Sequence, residues 1–266
     1  MAKPITMITR ADDCGSNHSA NLGILKALEG GVLKNVSLMA PCNSIHEAAD
    51  LFAARKDICF GLHFTINAEW DNVKWGPVSD PVRVATLIGS DGYFFQHPRC
   101  FKERTPSMGE VLFELEAQMK KLEDLGFRIS YVDTHMAPEL TIPGLEDELR
   151  AWCSNNGYRY WLDYFSKSIV LPASSDPVND HIDQLDSLEA GQYLLVTHPA
   201  TDSEEMRALG NREESGPQIA ETRHKDCLFW ADSRLAAEYE RRGIRPIRYD
   251  EAEKTGGSVT KLWLND

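Results

Sequence analysis

The chain has 266 residues, 42% of them apolar, with 41 Asp and Glu against 28 Lys and Arg and a formal net charge of −13. The composition is that of a globular protein, and the length suits one β/α-barrel domain over 1–266, since such barrels run to about 250 residues as one unit. The negative charge repels phosphate backbones and anionic lipid, and no apolar run approaches the roughly 20 residues of a bilayer span, so neither nucleic acid nor membrane is an expected partner.

The opening MAKPITMITRADD lacks the apolar core and small-residue cleavage site of a signal peptide. Six cysteines, Cys14, Cys42, Cys59, Cys100, Cys153 and Cys227, are scattered without a C-x-x-C. That pattern reads as reduced thiols in a cytoplasmic protein, not as a disulfide framework or a structural zinc site.

Short β-rich runs alternate with stretches of helical period, the βαβα pattern of a parallel sheet or barrel. A strand at Ile5–Ala11 leads to a helix at Asn17–Gly31, a strand at Asn35–Ala40, a helix at Ser44–Lys56 and a strand at Ile58–Thr65. Asn67–Pro106 fits neither period, holds Trp70, Trp75, Tyr93, Phe94 and Phe95, and is expected to be an inserted loop or small subdomain. The alternation resumes with a helix at Ser107–Gly126, a strand at Ile129–Thr134, a helix at Pro143–Asn156 and a strand at Tyr158–Leu162. A helix at His181–Ala190, a strand at Tyr193–Thr197, a helix at Pro217–Arg242 and a strand at Arg245–Tyr249 complete it. Glycines stand at most of the helix ends, as left-handed caps require. Seven parallel strands predict an α/β fold, a (β/α) barrel one strand short of the usual eight.

Barrel active sites form where strands end, so the polar residues there are the candidates. They are Asp12-Asp13-Cys14-Gly15, Gly61-Leu62-His63, Asp133-Thr134-His135, Asp163 and Thr197-His198-Pro199. Adjacent carboxylates after an apolar strand raise one another's pKa unless a cation intervenes. One carboxylate and two imidazoles make a common ligand set with positions left for water and substrate, and Asp13, His63 and His135 supply it. Cys14 reads as structural, and surface placement is the default for His18, His46, His97, His181 and His224. The donors suit zinc, while a mixed oxygen and nitrogen site with waters also admits magnesium, manganese or cobalt, so one divalent ion, Mg²⁺ or Zn²⁺ first, is the expected cofactor.

The run Thr9-Arg10-Ala11-Asp12-Asp13-Cys14-Gly15, followed by Gly61-Leu62-His63, Tyr131-Val132-Asp133-Thr134-His135 and Thr197-His198-Pro199, resembles the YdjC-like carbohydrate deacetylases, which include chito-oligosaccharide deacetylases. The resemblance implies a distorted (β/α) barrel related to the polysaccharide deacetylases, with Asp13, His63 and His135 as metal ligands. It also implies Asp12 as general base, His198 as the acid, and Arg223, in an Arg-x-x-acidic motif with Asp226, as the residue that orients the base. The family usually carries a second histidine two places after the third ligand. Ala137 stands there, followed by Pro138 and Glu139.

These residues predict a metal-dependent hydrolase removing acetyl groups from N-acetylated sugars or oligosaccharides. Trp161, Trp70 and Trp75 are candidates for stacking on sugar, with core packing favoured for Trp161, and Asp133 and Asp163 are polar candidates for substrate contact. Two rivals are a glycoside hydrolase pairing Asp12 with Asp163 or Asp133, and a non-catalytic sugar-binding barrel. The oligomeric state stays open, with a homodimer admissible.

Overall fold

A computed structural model describes residues 4–171 and 174–256. All seven predicted strands are present: β1 (Ile5–Cys14), β2 (Asn35–Leu38), β3 (Cys59–Phe64), β4 (Ile129–Thr134), β5 (Arg159–Tyr160), β7 (Gly191–Thr197) and β8 (Arg245–Ile247), joined by β6 (Lys167–Ile169). β6 is three residues long, too short to show a period in sequence. All pairings are parallel, in the order β5-β4-β3-β2-β1-β7-β6, with β8 on β1. The sheet curls into a partial barrel, and among the described residues no pairing joins β5 to β6.

β1 is buried from Thr6 to Cys14, as parallel strands covered on both faces must be. The helices are α1 (His18–Leu28), α2 (Ile45–Phe52), α3 (Met108–Asp124), α4 (Leu145–Asn156), α5 (Pro177–Leu185), α6 (Glu204–Arg207), α7 (Gly216–Ala231) and α8 (Ser233–Arg241). Two differ from expectation because of caps. α5 starts early because the Asp176 side chain accepts from the Asn179 N–H and Pro177 occupies the first turn. The helix expected over Pro217–Arg242 breaks because Asp232, in extended conformation, ends α7 and caps α8 through the Arg234 N–H.

The inserted segment holds two 3-10 turns, Pro81–Val84 and Pro98–Lys102, and buries Trp70, Trp75, Phe94 and Phe101. Gly61 is required by packing: a Cβ there would lie 2.2 Å from the Tyr131 ring. Of the five histidines assigned to the surface, His18 and His46 are exposed, but His181 is fully buried, its Nε2 against the Tyr239 hydroxyl at 2.9 Å. Among the described residues no helix is long and apolar enough to cross a membrane.

Candidate active site

The carboxyl ends of β1, β3, β4 and β7 open on a cavity of about 420 Å³ lined by Asp12, Asp13, His63, His135, His198 and Arg223, among others. On a regular strand Asp12 and Asp13 would face opposite ways. Asp13 instead adopts the left-handed region at φ 64°, where the β1–β2 register shifts, and both carboxylates reach the cavity. Asparagine and aspartate tolerate this conformation better than most residues.

The His63 Nε2 lies 3.5 Å and the His135 Nδ1 3.4 Å from Asp13 Oδ1. That oxygen is buried and accepts no hydrogen bond. The other nitrogen of each ring meets a carboxylate, His63 Nδ1 on Asp133 at 2.7 Å and His135 Nε2 on Glu69 at 2.9 Å. An ionised carboxylate only accepts, so those nitrogens carry protons, and in the neutral rings the nitrogens facing Asp13 keep lone pairs that could bind a metal. This is the carboxylate–histidine arrangement found around bound metals, and the ligand atoms of Asp13, His63 and His135 lie within 4.8 Å of one another. The three residues therefore fit a divalent ion. Asp12, His63 and Asp133 form a second tight group, but there Arg10 already bonds both carboxylates.

Burial opposes charge on Asp13, His63 and His135, and neighbours override it. Desolvation would raise the Asp13 carboxyl, but Arg223, His135 and His63 hold it well below the usual range. Burial lowers His63, yet Asp133 and Asp12 carry it up to about 10. Burial likewise lowers His135, and Glu69 and Asp13 carry it to about 9. The surrounding carboxylates thus favour positive charge on the two imidazoles. Cys14 is buried with its thiol pushed far up by desolvation and by Asp13, which suits the structural role expected of it.

Arg223 does not orient Asp12. Its Nη1 donates to Asp13 Oδ2 at 2.6 Å. Asp12 is held by Arg10 instead, through Nε at 2.7 Å and Nη2 at 2.8 Å. Arg10 lies two residues before Asp12 on the same strand, so both side chains share a face. His198 is half-buried at the cavity, its backbone N–H on Asp226 Oδ2 at 2.8 Å.

The other candidates separate. Trp70 lines the cavity, with the Arg223 guanidinium 5.8 Å from its ring centre. Trp75 packs edge-on to His135, its Nε1 donating to the Asn67 carbonyl at 2.6 Å. Trp161 is buried near Arg10, 5.0 Å from ring centre to guanidinium carbon, as core packing predicts. Asp133 is fully buried beneath His63 and also takes Ser37 Oγ at 2.6 Å and Arg10 Nη1 at 2.8 Å. Asp163 is not a lining residue and pairs with Arg150 at 2.8 Å. Neither aspartate is placed to touch substrate. Sequence reasoning passed over Arg10, visible as a charge inside an apolar strand, and Glu69, hidden in an aperiodic segment. It also sent His97, a lining residue, to the surface.

The profile of YdjC-like proteins matches residues 6–241. The chain belongs to the YdjC-like family. Among its relatives, a carbohydrate deacetylase of Listeria monocytogenes serotype 4a is 25% identical over 232 residues, 81% of this chain and 89% of that protein. A carbohydrate deacetylase of Thermoanaerobacter pseudethanolicus is 30% identical over 130 residues, 48% of this chain and 49% of that protein, so the chain spans about half of that relative's length. In structure, the chain is similar to an Enterococcus faecalis V583 protein provisionally assigned to cellobiose-phosphate cleavage, with TM-score 0.73, 18% identity, and 93% and 98% of the two chains covered. The catalytic domain of a peptidoglycan N-acetylglucosamine deacetylase from Eubacterium rectale aligns with TM-score 0.55 at 11% identity, covering 97% of each chain. The YdjC-like chain thus has the polysaccharide-deacetylase fold.

Proposed function

We propose that this YdjC-like protein is a divalent-metal-dependent hydrolase that removes acetyl groups from N-acetylated sugars. One observation carries the reading: a buried Asp13 oxygen without a donor, set between two imidazole nitrogens at the floor of an open cavity. The names of the curated relatives support the reaction class.

Asp13, His63 and His135 would hold the ion, which when bound supplies a Lewis acid for the acetyl carbonyl and lowers the pKa of a water. Asp12, its carboxylate kept in place by the Arg10 fork, would take the proton of an attacking water. His198 gives a proton to the departing nitrogen, because an amide anion is too poor a leaving group at neutral pH. Its main chain is anchored for this by Asp226. Arg223 binds the Asp13 oxygen turned away from the histidines and so fixes which oxygen faces them.

The paired-carboxylate glycoside hydrolase loses its support, since of Asp12, Asp133 and Asp163 only Asp12 lines the cavity. A silent sugar-binding barrel would need neither Asp12 nor His198 there. The test combines metal content with acetate release from N-acetylated sugars. Wild-type protein is expected to hold one divalent ion and release acetate, and His63→Ala to lose metal affinity at least about tenfold. Metal-loaded protein that releases no acetate from any such sugar would overturn the proposal.

A further inference from the structure

Another cavity, of about 350 Å³, opens at the opposite end of the sheet, where β3 and β4 begin with Cys59 and Ile129. His63 lies four residues further along β3, about 13 Å at strand rise, and no residue lines both cavities. Three separate segments meet here. The chain beyond α2 supplies Arg55 and Lys56, the residue before β4 is Arg128, and the residue after β8 is Arg248. Phe60 pairs with Ile129 and Gly61 with Tyr131, so Ser130 is an extra residue in β4, and this bulge places it in the cavity wall.

The charges around this cavity are unevenly matched. Arg55 forks Asp57 through Nε at 3.1 Å and Nη2 at 2.6 Å. Arg248 donates to Asp250 Oδ1 through Nε at 2.9 Å and to the Lys56 carbonyl through Nη1 at 3.3 Å, and its Nη2 lies 3.9 Å from Glu251. Arg159 adds a further cation, its Nη2 on the Asp250 carbonyl at 3.4 Å. The side chains of Lys56 and Arg128 meet no hydrogen-bonding or charged partner among the described residues. Five cations thus face Asp57, Asp250 and Glu251, a local excess of positive charge in a chain of net charge −13. Guanidinium and ammonium groups only donate, so the ligand they match is anionic and rich in acceptors. A carboxylate offers two oxygens in one plane. A phosphoryl group offers three around a tetrahedron, and so suits donors arriving from separate segments, with arginine as a fork and lysine as a point charge. The volume lies within the range of about 300–1,000 Å³ of small-molecule sites, and Ala53, Ile58 and Ile129 give the wall an apolar side.

We propose that this cavity binds a phosphate group, free or carried by a small metabolite, through Arg55, Lys56, Arg128 and Arg248. It shares no residue with the metal ligands and stands apart from the deacetylase reading. Calorimetric titration of metal-loaded protein with inorganic phosphate and with glucose 6-phosphate tests the site, with glucose as the uncharged control. Both anions should bind with Kd of about 1 mM or tighter. Lys56→Gln combined with Arg128→Gln, at two exposed positions, should weaken both at least about tenfold. Because phosphate also ligates divalent metals, the titration is repeated in His63→Ala protein, where the affinity should persist. Tighter binding of glucose 6-phosphate than of phosphate supports a phosphorylated metabolite as the ligand, and equal or weaker binding supports free phosphate. Absence of saturable binding by either anion, equal affinity in the double variant, loss of binding in His63→Ala, or glucose binding as tightly as its phosphate would each overturn the site.

Discussion

Asp133→Asn tests the support beneath the metal ligands with almost no change of shape. One Asp133 oxygen meets His63 Nδ1 at 2.7 Å, while the other takes Ser37 Oγ at 2.6 Å and Arg10 Nη1 at 2.8 Å. An asparagine must present its NH₂ to one side. Against Arg10 two donors would collide, so the NH₂ turns to His63 and donates to Nδ1, which forces the ring proton onto Nε2. That is the nitrogen facing Asp13, and a protonated nitrogen has no lone pair for a metal. Metal affinity should fall 10–100-fold, about 1.4–2.7 kcal/mol. A stranded buried ion costs about 3–5 kcal/mol, but Arg10 keeps both bonds to Asp12. The metal-free protein should therefore lose only about 2 kcal/mol, or roughly 4–8 °C in Tm. Competition against a chromophoric zinc chelator and melting of metal-free protein measure the two effects. Unaltered metal affinity would refute the assignment of His63 Nε2 as a ligand atom.

Asp12→Asn should retain its metal and lose about 10²–10⁴-fold in turnover, and near-normal acetate release would assign the base to another group. His198→Ala should slow amide substrates far more than activated aryl acetate esters, whose leaving groups need little protonation; equal losses with metal intact would remove His198 from the mechanism. His181 supplies a pH effect remote from the site. Burial lowers it from 6.5 to about 4, so the unfolded chain binds its proton more tightly, and its contribution is intact above pH 6.5 and lost on acidification towards 4. The loss approaches about 3 kcal/mol, and denaturant titrations of His181→Leu should show a shallower fall in that window.

Local chemistry wrote much of this protein into its sequence. The periods of 2 and 3.6 marked seven of the eight strands, and Asp13, His63 and His135, which the strand-end rule had singled out, converge on one point. Caps were less visible, because Asp176 and Asp232 act through single side-chain bonds that leave the apolar period unaltered. Partner choice was not legible at all. Arg223 is 210 residues from the aspartate it binds, and Glu69 is 66 from its histidine. Asp163, like Asp13, is a strand-end candidate in the sequence, yet it faces Arg150 rather than the cavity. A side chain's identity states which bonds it can make. Only the packing of distant segments, which excludes water and leaves one partner within reach, decides which of them it does make.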